Sequence, residues 1–240
     1  GGSHGDRVEE EQAMVKKEIL TILETSEQWG WVLEPDAKRI FSLDGFDVPK
    51  FDVAKAPGDV RRIGTKIGYP VVAKIVSPDV LHKSDVHGVA VGVNSDTNLQ
   101  NVFERFSAIE GFEGMLVEEM ISGTELIFGA KYDYQFGPMI LLGFGGTGVE
   151  IYKDVSLRMA PIGMNDVDSM IHGLKAKKLL EGYRGAEPIN MQALKRSLIL
   201  FSGFVMKLKD RIESIDLNPV ICTPKRCVIA DARIILKTSK

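Results

Sequence analysis

Cysteine is scarce in this chain, with two residues among 240. A disulfide-framed secreted scaffold needs more, so a reducing compartment, the cytoplasm, is the expected setting. No apolar run approaches the roughly 18 residues of a spanning helix, and no signal peptide is visible, so no membrane partner is expected. An excess of one charge sign is also missing. Thirty basic residues face 33 acidic ones, for a net charge of −3. Without a sequence-wide positive field, the chain is not expected to bind nucleic acid in general. Repeats and low-complexity linkers are absent too. The remaining composition, 44% hydrophobic and 26% charged, is that of an ordinary globular protein. Its length suits one large domain or two small ones.

The chain opens on Gly1-Gly2-Ser3-His4 rather than Met, and residues 1–7 read as a cloning scar. Residues 8–49 are expected to hold two N-terminal helices. The first is an amphipathic stretch from Val8 to Glu27, with Met14, Ile19, Ile22 and Leu23 at helical spacing. The second is a short helix started by Glu34-Pro35 and ended by Gly45. Beyond them, β-prone runs cover Lys50–Ala54, Pro70–Val76, Gly88–Val93, Met115–Met120, Glu125–Tyr132, Met139–Phe144, Val155–Pro161, Ile212–Ile221 and Val228–Leu236. Helical patterns cover Pro57–Gly68, Asp96–Ile109, Asp166–Leu180 and Asn190–Lys209. This is not the regular strand–helix alternation of a doubly wound parallel sheet. It predicts an α+β fold with antiparallel sheets and helices on one face of each. A weak break near Glu113 to Met115 divides 50–113 from 114–240.

Four groups of residues could carry chemistry. Lys74 sits in the apolar run Val71-Val72-Ala73-Lys74-Ile75-Val76. There it needs a counter-charge, which a phosphate could supply, unless its side of the strand is solvated. The polar connection Ser77–Gly88 is long for two adjacent strands, and it holds His82, Lys83, Ser84 and Asp85. His82 is either a phosphoryl acceptor or an idle loop histidine. In Val117-Glu118-Glu119-Met120, followed by Glu125, strand alternation turns one carboxylate inward, where adenine or ribose could meet it. The alternative is a pair of exposed acids at a strand end. Asp216 and Asn218 alternate with Ile215 and Leu217, with Asp231 expected on the next strand. Carboxylate and amide oxygens on one face suit Mg²⁺, or simply an exposed hairpin. The glycine corner Gly143-Phe144-Gly145-Gly146-Thr147-Gly148 and Arg158 could approach phosphate, or serve as a tight turn and a surface arginine. Cys222 and Cys227 bracket a turn and read as buried thiols; His172 reads as structural.

In order and spacing, Pro70-Val71-Val72-Ala73-Lys74, Leu81-His82-Lys83-Ser84-Asp85, Val117-Glu118-Glu119-Met120, Gly145-Gly146 with Lys153-Asp154-Val155-Ser156, and Asp216-Leu217-Asn218-Pro219 are similar to one known pattern. The chain from about Leu33 to Leu236 resembles an ATP-grasp domain, namely the nucleotide-binding β subunit of the ADP-forming acyl-CoA synthetases, relatives of succinyl-CoA synthetase. The resemblance implies two α+β subdomains holding ATP between them. It places Lys74 on the nucleotide phosphates, Glu118, Glu119 and Met120 on the strand that meets adenine, and Glu125 at the ribose. Arg158 is the further candidate for a phosphate. Asn218 and Asp231 resemble the Mg²⁺ ligands, and Asp216 an acid beside the transferred group. His82 resembles the histidine that passes a phosphoryl group from the α subunit to ADP. The implied partner is a CoA-binding α subunit or fused α domains, in an α2β2 assembly. One departure is His87, where the family usually shows Gly-Gly. The alternatives are a carboxylate–amine ligase of the same fold and a non-catalytic nucleotide-binding regulatory module.

Overall fold

The structure is a computed structural model that describes residues 17–146, 154–183, 185 and 187–237. The expected scar at 1–7 lies outside the described residues, as do Met14, Thr147, Gly148 and Lys153. The described chain opens with helix α1 (17–26), strand β1 (Trp31–Val32) and helix α2 (Glu34–Leu43). It divides into two units. One holds residues 33–35 and 49–122; the other holds the described residues of 1–32, 36–48 and 123–240.

The smaller unit contains β2 (Phe51–Ala54), α3 (Pro57–Ile67), β3 (Val71–Val76), β4 (Val89–Val93), α4 (Asp96–Ser107) and β5 (Gly114–Glu119). Its four strands form an antiparallel sheet in the order β2-β5-β3-β4. Local chemistry sets the helix starts. Asp59 accepts from the Lys55 and Ala56 amides ahead of α3, and the Ser95 hydroxyl accepts from Asn98 N at 3.2 Å to cap α4. Ile63, Leu99, Phe103 and Phe106 pack against Val71, Ala73, Ile75, Met115 and Val117, so odd-numbered positions of β3 and β5 form the core face. Lys74, Leu116 and Glu118 therefore share the opposite face. The boundary expected between 113 and 114 is corrected to 122/123. β5 is an interior strand hydrogen-bonded to both β2 and β3, and cannot leave this sheet.

The larger unit contains β6 (Thr124–Asp133), β7 (Gly137–Phe144), β8 (Val155–Met159), α5 (Met164–Gly173), α6 (Met191–Leu208), β9 (Ile212–Cys222), β10 (Cys227–Ile229) and β11 (Arg233–Leu236). Its antiparallel sheet runs β1-β11-β9-β6-β7-β8, with β10 also paired to β9. Leu194, Leu198, Phe201, Val205 and Leu208 lie three or four residues apart along α6 and are buried, the stripe expected of a core-facing helix. With residues of α1, α2 and α5 they cover Leu126, Phe128, Ala130, Ile140, Leu142, Ile215, Leu217 and Ile234. The N-terminal helices at 17–32 and 36–48 are thus part of this core rather than a separate segment.

Two expected elements are shorter than their patterns suggest. The helix over Asp166–Leu180 stops at Gly173 because the buried Asp154 carboxylate accepts the Lys175 and Ala176 amides at 2.7 and 2.8 Å. The run Val228–Leu236 breaks at 230–232. There both the Ala230 and Asp231 amides turn to the Pro219 carbonyl, and the Ala230 carbonyl accepts from Lys38 Nζ at 2.9 Å. Cys222 and Cys227 are Cα partners across β9 and β10, buried and free. A hydrogen bond to Cys227, with burial, pushes the Cys222 thiol well above its usual range. Among the described residues no helix is long and apolar enough to cross a membrane.

Candidate functional site

In the smaller unit the Lys74 ammonium is buried, and its counter-charges come from the chain itself. Lys74 Nζ lies 2.7 Å from Glu34 Oε1 and 2.9 Å from Glu118 Oε1. The second oxygen of Glu34 lies 2.8 Å from Lys83 Nζ. The inward member of the Glu118–Glu119 pair is Glu118, at 2% exposure. Glu119 is half-buried, accepting from Lys50 N at 3.3 Å, and Met120 is exposed just beyond the strand. Two ammoniums and two carboxylates thus balance in a low-dielectric pocket, where each depends on the others. A phosphate approaching Lys74 would have to share it with both carboxylates.

The connection from β3 to β4 carries a single 3₁₀ turn, Lys83–Val86, with exposed His82 immediately before it. Three backbone bonds close the turn: Asp85 N to His82 O at 3.2 Å, His87 N to Ser84 O at 3.2 Å and Gly88 N to Lys83 O at 2.7 Å. His87 has φ 52°, the left-handed region. That conformation costs a residue with a Cβ roughly 1–2 kcal/mol. His87→Gly is expected to fold with unchanged or slightly raised stability, because glycine gives back about 0.5–1 kcal/mol in backbone entropy. His87→Val should lose about 1–2 kcal/mol, as a branched side chain tolerates the left-handed region poorly. Thermal unfolding of both variants checks this, and equal losses would contradict it.

In the larger unit, register sorts the candidate residues by face. Arg233, Asp216, Gly129, Leu141 and Leu157 are successive cross-strand partners and share one face. Asp216 accepts from Arg233 Nη2 at 3.0 Å. Asn218 is exposed at a bulge, where β9 spends two residues, Asn218 and Pro219, against Ile127 alone on β6. A proline within this inner strand is tolerated at such a bulge because its missing N–H is not needed by the ladder. Asp231 lies in the 230–232 strap rather than on a strand, yet its amide reaches Pro219 O at 3.3 Å, which keeps it beside Asn218. Among the described residues no three His, Cys, Asp or Glu side chains form a complete metal cage. A carboxylate and an amide oxygen instead fit an ion that retains phosphate oxygens and water, as Mg²⁺ does. Glu125 is exposed, and Gly145 N donates to its carbonyl at 2.8 Å. A Cβ at Gly145 would meet Glu125 Cβ at 3.1 Å and its backbone just beyond, and Gly146 has φ 86°, in the left-handed region that favours glycine.

Arg158 lies on the other face of this sheet. Its Cα partner is Ile140, on the helix-covered face, and its guanidinium donates to Ser169 Oγ at 2.6 Å and to the Leu157 carbonyl at 2.8 Å. Strand parity turns it away from the face that carries Asp216. The structural reading of His172 agrees with its place in α5, with Nδ1 2.7 Å from the Asp168 carbonyl. Sequence reasoning missed Glu34 and Lys38. Lys38 is fully buried, and its bond to the Ala230 carbonyl braces the strap beside Asp231. A lysine between Ala37 and Arg39, ahead of the apolar Ile40 and Phe41 of an amphipathic helix, was the available signal.

With this geometry established, known proteins supply a comparison. A family model described as an ATP-grasp domain matches residues 24–236. The β subunit of acetate–CoA ligase (ADP-forming) I from Pyrococcus furiosus is 38% identical over 213 residues, covering 85% of this chain and 91% of that one. Acetate–CoA ligase (ADP-forming) I of Archaeoglobus fulgidus is 39% identical over 217 residues, covering 88% of this chain but 32% of its own length. A solved relative is the dinucleotide-forming acetyl-coenzyme A synthetase 1 of Ca. Korarchaeum cryptofilum with coenzyme A and Mg-AMPPCP, its phosphohistidine segment pointing towards the nucleotide-binding site. It aligns with a TM-score of 0.80 and 38% identity, over 91% of this chain and all of that one.

Proposed function

Because the chain belongs to the ATP-grasp family, among the β subunits of ADP-forming acetate–CoA ligases, we propose that it is the nucleotide-binding, phosphoryl-transferring component of such an enzyme. With a CoA-binding α subunit or fused α domains, it interconverts acyl-CoA, ADP and phosphate with carboxylate, CoA and ATP. The carrying observation is His82, exposed at the head of a pinned turn, one residue from a lysine whose ammonium reaches into the buried charge cluster. In the ATP-consuming direction an imidazole nitrogen uses its lone pair to form a P–N bond. The β–γ bridging P–O bond breaks, and its electron pair leaves on ADP. The other ring nitrogen keeps its proton, so none need move in this step. Lys74 and Lys83 supply positive charge from the smaller unit. Asn218 and Asp231 would hold Mg²⁺, which offsets phosphate charge when bound, and Asp216 orients beside the transferred group. An α2β2 assembly and a cytoplasmic setting belong to the same proposal, the first from the family and the second from the low cysteine content.

The test is to incubate wild type, His82→Ala and His87→Ala with Mg²⁺ and γ-labelled ATP. Acid-labile, base-stable label is expected on wild type and His87→Ala and absent from His82→Ala. Full labelling of His82→Ala would overturn the assignment. Nucleotide binding without any label would instead favour a regulatory module. The purified chain without its partner should bind Mg·ADP yet make no acyl-CoA.

A further inference from the structure

We propose that Glu34 is a positioning residue that latches the His82 segment through Lys83 while His82 is unphosphorylated. A phosphoryl group on His82 then opens the latch by drawing Lys83 away. This rests on the reading of His82 as the phosphoryl acceptor.

Glu34 divides its carboxylate between two lysines. Oε1 holds Lys74 at 2.7 Å, a residue fixed within β3 by pairing on both sides, and Oε2 holds Lys83 at 2.8 Å. The Glu34 side chain is 2% exposed and Lys83 14%, so salt and water screen the contact poorly. Glu34 also begins α2, where the unpaired amides of a first helical turn favour a carboxylate. Val86, at the end of the turn, packs against the core of the smaller unit. The turn's own three backbone bonds join residues within 82–88, Val80 is buried ahead of it, and Gly88 is wedged against Ile75 behind it. Lys83 is the charged side chain that ties the head of the turn to a buried anchor.

The latch can open because the anchor survives its opening. When Lys83 leaves, Glu34 still has Lys74, which still has Glu118 at 2.9 Å. Each carboxylate keeps Lys74 as a partner, and the pocket is left with one net negative charge. A phosphoryl group carries roughly −1.5 to −2 charge and would sit one residue from Lys83, outcompeting a single carboxylate. The same lysine would thus restrain the resting segment and neutralise the loaded one.

Hydrogen exchange on the full chain tests this at the amides of Asp85, His87 and Gly88. Lys83→Met and Glu34→Gln should exchange there about tenfold faster or more than wild type. In Lys83→Met, β3 and β5 should stay as protected as in wild type. Glu34→Gln also disturbs Lys74, so Lys83→Met, which leaves that pair intact, decides the matter if the first fails to fold. Phosphorylating wild type with Mg·ATP, or with phosphoramidate as a small donor, should raise exchange to the Lys83→Met level. Phosphorylated Lys83→Met should show no further rise, a dependence that a merely structural ion pair would lack. Unchanged protection in Lys83→Met, or full protection in phosphorylated wild type, overturns the latch. If neither donor labels wild type, the acceptor reading falls and the opening step with it. The anchoring step is then decided by the unphosphorylated variants alone.

Discussion

Lys74→Met is expected to destabilise the smaller unit by about 3–5 kcal/mol. The substitution leaves Glu34 and Glu118 buried at 2% and 3% side-chain exposure, facing each other without the ammonium between them. Lys83 still compensates Glu34, but Glu118 loses the ammonium 2.9 Å away. Replacing a buried charge set by apolar groups is often nearly neutral, whereas removing one member strands the rest. Lys74→Met/Glu118→Leu should therefore recover much of the loss. Denaturant unfolding followed by exchange at β3 and β5 amides measures both variants. A single variant as stable as wild type, or a double variant no better than the single, would contradict the buried network. Nucleotide affinity should fall in both, because each lacks the lysine assigned to the phosphates.

Asn218→Ala and Asp231→Ala are expected to remove the Mg²⁺-dependent part of ADP affinity, at least tenfold or about 1.4 kcal/mol, and to abolish nearly all turnover. Asn218 stands exposed on its bulge, and the Ala230 and Asp231 amides both donate to the carbonyl of Pro219, the residue after it. An ion that keeps phosphate oxygens and water as its remaining ligands loses a large share of its protein donors with either change. Asp216→Asn should behave differently. Its carboxylate is engaged by Arg233 at 3.0 Å, so nucleotide binding should survive while phosphoryl transfer slows. Calorimetry with and without Mg²⁺ separates these outcomes. Unchanged metal-dependent affinity in the Asn218 and Asp231 variants would remove them from the ligand set.

Alternation and capping chemistry, being local, could be read from the residues. The alternation that turns one of Glu118 and Glu119 inward and the apolar stripe of α6 follow from strand and helix periods alone, and the Ser95 cap of α4 is hydroxyl chemistry within one turn. The order of motifs likewise sufficed for the family, whose model matches residues 24–236. Pairing partners distant in sequence could not be read in this way. β5 looks like the start of the second subdomain until its bonds to β2 and β3 are seen. The run Val228–Leu236 looks continuous until Lys38, 192 residues from Ala230, takes a carbonyl from it. Arg158 looked free to meet phosphate, but its parity, set by partnership with Ile140, sends it to the helices.

The sequence by itself determined where most strands and helices lie and which chemical groups this protein can bring to a phosphoryl group, because those properties depend on neighbours a few positions away. Only the tertiary structure decided that Glu34 answers both Lys74 and Lys83. A buried ammonium requires a counter-charge, but nothing local says which carboxylate will supply it. Here the carboxylate stands 40 residues earlier, at the start of a helix, and folding alone brings the three side chains together.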